Sequence, residues 1–209
     1  MGRIKTIVFD LGGVILTIDQ TEAVRRFKEL GLQDVEKHLD PYVQRGIFGN
    51  LENGLISVEE FRCELSRLIG KEVSKEQCEY AWQGYAKEAP RRNFDALKRL
   101  REEGYRLVLL SNTNPCMMAW VESNQFDGMG HPVSHYFDAM YLSYQMKMMK
   151  PSEDIFHQML MTEKISPSEV LFVDDGPRNV AAASQLGIWT SCPKNGEDWT
   201  QEIYEYLKD

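Results

Sequence analysis

A run of β-formers, Ile7-Val8-Phe9, stops at a carboxylate, Asp10, and then at the turn-permitting stretch Leu11-Gly12-Gly13. No other feature of the chain restricts its fold as tightly. A carboxylate inside a buried strand is costly unless a partner offsets its charge. The strand is therefore expected to end at Asp10, with the carboxyl at an edge that a ligand reaches. The two glycines let the backbone bend there and let a ligand approach closely. What such a carboxylate needs must then come from the ends of other strands.

Strand-like runs recur at residues 5–9, 106–110, 139–142, 170–173 and 188–191. Helical patterns lie between them, at 94–103, 152–163 and 177–186, with Gly104 and Gly187 as stops. Strands alternating with helices predict an α/β fold: a Rossmann-like, three-layer core with a parallel sheet covered on both faces. Residues 17–90 break the rhythm. They carry helical patterns at 21–30, 34–38, 57–68 and 74–86, and no strand pattern. The expected organisation is a core of residues 1–16 and 91–209, with an all-helical cap, 17–90, inserted after the first strand.

The 209 residues and 43% hydrophobic content suffice for such a core. A net charge of -8 argues against nucleic acid as a partner, because phosphate backbones are repelled. No apolar run approaches the roughly 20 residues needed to cross a bilayer, and Met1-Gly2-Arg3 does not open a secretory signal. Cys63, Cys78, Cys116 and Cys192 lack metal or disulfide spacing, which predicts a reduced, cytoplasmic protein with Cys116 as a packing residue.

Parallel sheets bind ligands at the carboxyl ends of their strands. Those positions hold Asp10, then Ser111-Asn112-Thr113-Asn114, then Ser143, Lys147 and Lys150-Pro151, then Asp174-Asp175-Gly176. The set suits phosphoryl transfer. A carboxylate can serve as covalent nucleophile, a hydroxyl and backbone amides can hold phosphate oxygens, and a lysine can neutralise charge. A second carboxylate completes a magnesium site, and the metal relieves repulsion among the acids.

These motifs, Asp10-Leu11-Gly12-Gly13-Val14, Ser111-Asn112-Thr113, Lys150-Pro151 and Asp174-Asp175-Gly176-Pro177-Arg178-Asn179, resemble those of the haloacid dehalogenase superfamily. The chain is most similar to its helical-cap phosphatases, near the glucose-1-phosphate phosphatases, whose cap loop resembles Glu52-Asn53-Gly54 with Ile56-Ser57. The resemblance implies Asp10 as nucleophile, Ser111 as phosphoryl ligand and Lys150 in support. Asn112 and Thr113 would join Ser111 around the phosphoryl group. It also implies Mg2+ held by Asp10, Asp175, Asp174 and the Gly12 carbonyl. Lys147 competes with Lys150, which is favoured by the proline that follows it.

The family commonly places an aspartate two residues after the nucleophile as general acid, where this chain has Gly12. Asp19 is a candidate replacement on the leaving-group side; its competing role is the N-cap of the helix beginning near Thr21. Arg45, Glu52, Asn53 and Trp82 are candidate cap contacts to substrate, and His131 and His135 lie in a loop that can reach the site mouth. The expected function is a magnesium-dependent phosphatase for a small phosphorylated metabolite such as a sugar phosphate, working through an aspartyl-phosphate as a monomer or weak dimer. The alternatives are a 2-haloacid dehalogenase and a catalytically silent binding protein of the same fold.

Overall fold

The computed structural model describes residues 4–39 and 44–208, so the Met1-Gly2-Arg3 start lies outside the described residues. In chain order the strands are β1 (Thr6–Phe9), β2 (Thr17–Ile18), β3 (Ala86–Glu88), β4 (Arg106–Ser111), β5 (Ala139–Leu142), β6 (Val170–Val173) and β7 (Trp189–Ser191). Between β2 and β3 lie helices α1 (Gln20–Leu30), α2 (Gly46–Glu52), α3 (Val58–Ile69) and α4 (Lys75–Gln83). The others are α5 (Arg91–Glu102), α6 (Pro115–Val121), α7 (Ser143–Met146), α8 (Glu153–Glu163), α9 (Pro177–Gln185) and α10 (Tyr204–Leu207).

Five strands form a parallel sheet in the order β5-β4-β1-β6-β7. Side chains alternate between its two faces, and both faces are apolar. Ile7, Phe9, Leu107, Leu109, Leu171 and Val173 pack with Phe94, Leu97 and Leu100 of α5. Val8, Val108, Leu110, Val170 and Phe172 pack with Ile155, Phe156 and Met159 of α8 and Ala183 of α9. That two-sided burial explains why these strands read as continuous hydrophobic runs. Phe9 stands level with Leu109 on one side and Val173 on the other. Asp10, Ser111 and Asp174 therefore all leave the sheet at the same edge.

The segment between β2 and β3 encloses an apolar interior of its own. Phe48 meets Phe27 at 5.0 Å and Phe61 at 5.1 Å between ring centroids, and Trp82 joins them. Cys116 of α6 is buried in this cluster, and burial pushes its thiol up to about 12. Capping boxes start α3 (Ser57 with Glu60) and α4 (Ser74 with Gln77), satisfying amides that the first turn leaves open.

Three local features differ from the sequence expectation. β2 and β3 pair antiparallel as a short ribbon at the ends of the segment, which was expected to hold no strand. Strands of two and three residues are too short to show a period. The helical pattern expected at 34–38 is a single 3-10 turn, Val35–Lys37. Helix α2 was not expected, because its Gly46 and Gly49 are poor helix formers; Gly49 packs too close to the Gln44 carbonyl for a side chain to fit.

Among the described residues no helix is long and apolar enough to cross a membrane. Phe48 is fully buried, so Phe48→Ala is expected to cost about 3–5 kcal/mol in chemical denaturation. A loss under about 1 kcal/mol would mean that the ring cluster does not hold this segment together.

Candidate active site

The ladder between β1 and β6 continues one residue past the strand, where the Asp10 amide donates to the Val173 carbonyl at 2.9 Å. Its carboxylate then accepts from the Leu11 amide at 2.7 Å, which fixes its direction. Lys150 arrives from the loop after α7. Asn112, just past β4, holds that loop with two bonds of 2.9 Å: its side-chain amide donates to the Lys150 carbonyl, and its side-chain oxygen accepts from the Lys150 amide.

The Lys150 ammonium is fully buried, 3.0 Å from Asp10 Oδ1 and 2.6 Å from Asp174 Oδ2. Burial alone would drive the proton off; Asp10 and Asp174 outweigh it and hold the ammonium charged. Asp174 also accepts from the Gly176 amide at 2.7 Å and from Asn179 Nδ2 at 3.0 and 3.2 Å. Lys147 is exposed in a left-handed turn, so Lys150 is the lysine that the fold brings to Asp10.

Ligand oxygens of Asp10, Asp174 and Asp175 lie within 4.8 Å of one another. One ammonium against three carboxylates leaves an excess of negative charge in a buried place. Burial raises Asp10 from 3.8 to about 6, with Lys150 pulling it down and Asp174 pushing it up. Burial raises Asp175 to about 7, reinforced by Asp10 and Asp174. A divalent cation with oxygen ligands suits this set, since it binds the ionised forms and cancels their repulsion. Gly13 makes the arrangement possible: it has φ +78°, and a Cβ there would overlap the Asp175 carboxylate.

Asp10, Gly12, Glu52, Ser111, Asn112, Thr113, Lys150 and Asp175 line one cleft of about 120 Å³. Asp174 lies behind them, fully buried. Three expected residues are elsewhere. Arg45 is exposed, at the start of α2. Asn53 caps the end of α2, donating to the Gly49 carbonyl at 2.8 Å. Asp19 caps α1 by accepting from the Thr21 amide at 2.9 Å, a bond that holds its carboxyl below the ordinary range. An acid so held is a poor proton donor, and Asp19 borders a neighbouring hollow shared with Asp175. The Asn112 side chain, expected to contact substrate, is spent on Lys150. His131 pairs with Asp127 at 2.8 Å and stacks on His135, and neither lines the cleft.

The cleft also holds Gln44 and Tyr85, which sequence reasoning missed, and Asn114 of the strand-end stretch. Asn114 is at the same time the N-cap of α6; Gln44 carried no signal. Glu52 is 8% exposed, and burial pushes its carboxyl up to about 8, opposed by a hydrogen bond from Asn114 and assisted by the charge of Asp10. Trp82 belongs to the apolar cluster and lines the cleft, with its indole nitrogen buried and unpartnered among the described residues. Ser143, another of the strand-end residues, acts as a tether. Its hydroxyl donates to the Glu52 carbonyl at 2.7 Å and accepts from the Thr113 amide at 3.0 Å.

Residues 4–187 match the sequence profile of haloacid dehalogenase-like hydrolases. The chain is 46% identical over 200 residues to a D-ribitol-5-phosphate phosphatase of Bacteroides thetaiotaomicron, covering 96% of this chain and 97% of the relative. A solved structure of a predicted HAD-like family hydrolase from Porphyromonas gingivalis superimposes with TM-score 0.93 at 46% identity, over the whole of both chains. A HAD family enzyme of Bacteroides thetaiotaomicron, solved with magnesium and inorganic phosphate, matches with TM-score 0.86 at 38% identity, over 96% of this chain and 99% of that one.

Asp10 and Asp175 hold protons more tightly folded than unfolded. Between about pH 4 and 7 the folded state therefore carries more protons, and this contribution to stability falls as pH rises. A cation competes with those protons. Magnesium is expected to raise Tm more at about pH 8 than at about pH 5. An equal rise at both would show that it binds away from these carboxylates.

Proposed function

The chain belongs to the haloacid dehalogenase-like hydrolase family, and we propose that it is a magnesium-dependent phosphatase that uses Asp10 as nucleophile on a small sugar or polyol phosphate. The observation that carries this reading is the Asp10–Lys150–Asp174 array beside Asp175 at the carboxyl ends of neighbouring parallel strands. The relative that acts on D-ribitol 5-phosphate supports a polyol phosphate as substrate class. So does the cleft, where Gln44, Glu52 and Asn114 offer polar groups to hydroxyls. Residues 17–90 are read as the cap that covers this cleft.

In this mechanism Asp10 attacks phosphorus and the sugar oxygen leaves, giving an aspartyl-phosphate that water then cleaves. Lys150 keeps the Asp10 oxygens charged and oriented, and Asp174 holds Lys150. Ser111, at the end of β4, with the backbone amide of Asn112 and the side chain of Thr113, receives phosphoryl oxygens. Asp10, Asp175 and the Gly12 carbonyl would hold magnesium, with Asp174 adjacent; when bound, the ion supplies charge neutralisation to the phosphoryl group. Four cysteines without disulfide partners support a cytoplasmic setting.

A panel of phosphate esters assayed with and without magnesium tests the reading. Phosphate release is expected only with the metal, and Asp10→Asn is expected to lose roughly 10⁴-fold or more, the scale of removing a covalent nucleophile. Normal turnover by that variant would remove Asp10 from the mechanism. Halide release from 2-haloacids without metal would move the assignment to the dehalogenase branch.

A further inference from the structure

A sugar or polyol oxygen leaves poorly as an alkoxide and needs a proton as its bond to phosphorus breaks. The acids near Asp10 are largely committed. Asp10 is the nucleophile, Asp174 is locked between Lys150, Gly176 and Asn179, and Asp175 faces the metal position. Position 12 is glycine, and Asp19 is spent on capping α1. Among the described residues, one carboxyl in the cleft has neither the nucleophile's task nor a metal's: Glu52, on the side that would face the hydroxyl groups of the ester.

The fold holds Glu52 in place from three directions. Its backbone carbonyl accepts from Ser143, whose hydroxyl also takes the Thr113 amide beside the phosphoryl-binding residues. Two residues on, Gly54 has φ +64° and lies so close to the Tyr144 backbone that no side chain fits. The end of α2 is thus seated against α7. The Glu52 carboxyl itself bonds Asn114, which is fixed in turn as the N-cap of α6. A buried carboxyl so anchored, in the same cleft as the nucleophile, is placed for proton transfer and not for solvation.

We propose that Glu52 is the proton shuttle of the reaction. As the Asp10 oxygen bonds to phosphorus and the phosphorus–oxygen bond of the ester breaks, the Glu52 carboxylic acid protonates the departing oxygen and becomes a carboxylate. That carboxylate then takes a proton from the water that attacks the aspartyl-phosphate, which returns Glu52 to its acid form and releases inorganic phosphate and free Asp10. The chemistry balances with the ester and water alone. Burial keeps the carboxyl protonated at neutral pH, and Asn114 offers a hydrogen bond to the anion once it forms. The inference rests on the phosphatase reading above.

The test compares Glu52→Gln with the wild type, both with magnesium, on D-ribitol 5-phosphate and on 4-nitrophenyl phosphate, whose phenolate leaves without a proton. The variant is expected to lose roughly 10²–10⁴-fold in kcat/KM on the polyol ester and less than about tenfold on the aryl ester. With the aryl ester, rapid quenching is expected to trap phosphorylated Asp10 in the variant, because the base for the second step is gone. Equal losses on both esters, or no loss, would overturn the proposal. If the variant does not fold, the wild-type pH profile decides: kcat/KM for the polyol ester should fall above about pH 8 while the aryl ester's does not, and parallel profiles would overturn it. A wild type that hydrolyses neither ester brings down the phosphatase reading and this inference together; an active wild type with unselective Glu52→Gln losses brings down the inference alone.

Discussion

The Lys150 ammonium, buried between Asp10 and Asp174, is the interaction on which the rest of the site depends. Taking three charges out of water is expensive, and a buried ion pair seldom adds net stability. The surroundings are arranged to make the arrangement tolerable. Asn112 clamps the lysine's backbone on both sides. Asn179 and the Gly176 amide complete the hydrogen bonding of Asp174. The parallel register of β1 against β4 and β6 places the participants at one edge before any side chain acts. The scaffold offsets part of the negative charge, and the excess that remains suits a divalent cation.

Work is divided between the sheet and the insert. The strand ends supply Asp10, Ser111 and Asp175 to the cleft, and the Asp10 amide extends the sheet ladder by one bond. The segment between β2 and β3 supplies Gln44, Glu52, Trp82 and Tyr85, which line the rest of it. Ser143 joins the two halves through the Glu52 carbonyl and the Thr113 amide, so a single hydroxyl relates the position of the insert to that of the phosphoryl-binding loop.

The core was legible because its strands are buried on both faces and each chemical residue follows one directly. Asp10, Ser111 and Asp174 could be found by reading only the residue after each apolar run. Lys150 stood apart from Lys147 by the proline after it, and burial separates them sharply. The insert was harder to read. Helix α2 is masked by its two glycines, of which Gly49 is required by packing against Gln44, and β2 and β3 are too short to show alternation. Arg45 and Asn53 flank cleft-lining Gln44 and Glu52 in sequence, and a shift of one residue along a helix end turns a side chain away from its neighbour's target. Asn114 was legible both as a strand-end residue and as a helix cap, and it occupies both places.

The two glycines after the nucleophile differ in how freely they can change. Gly13 is fixed by Asp175, which occupies the space a side chain would need. Gly12 has ordinary backbone geometry, and a Cβ there would touch only Ile18, at 3.4 Å. Position 12 therefore has room for a Cβ where position 13 has none. In this chain it carries no carboxyl, and Glu52, which lines the same cleft, comes instead from the segment between β2 and β3.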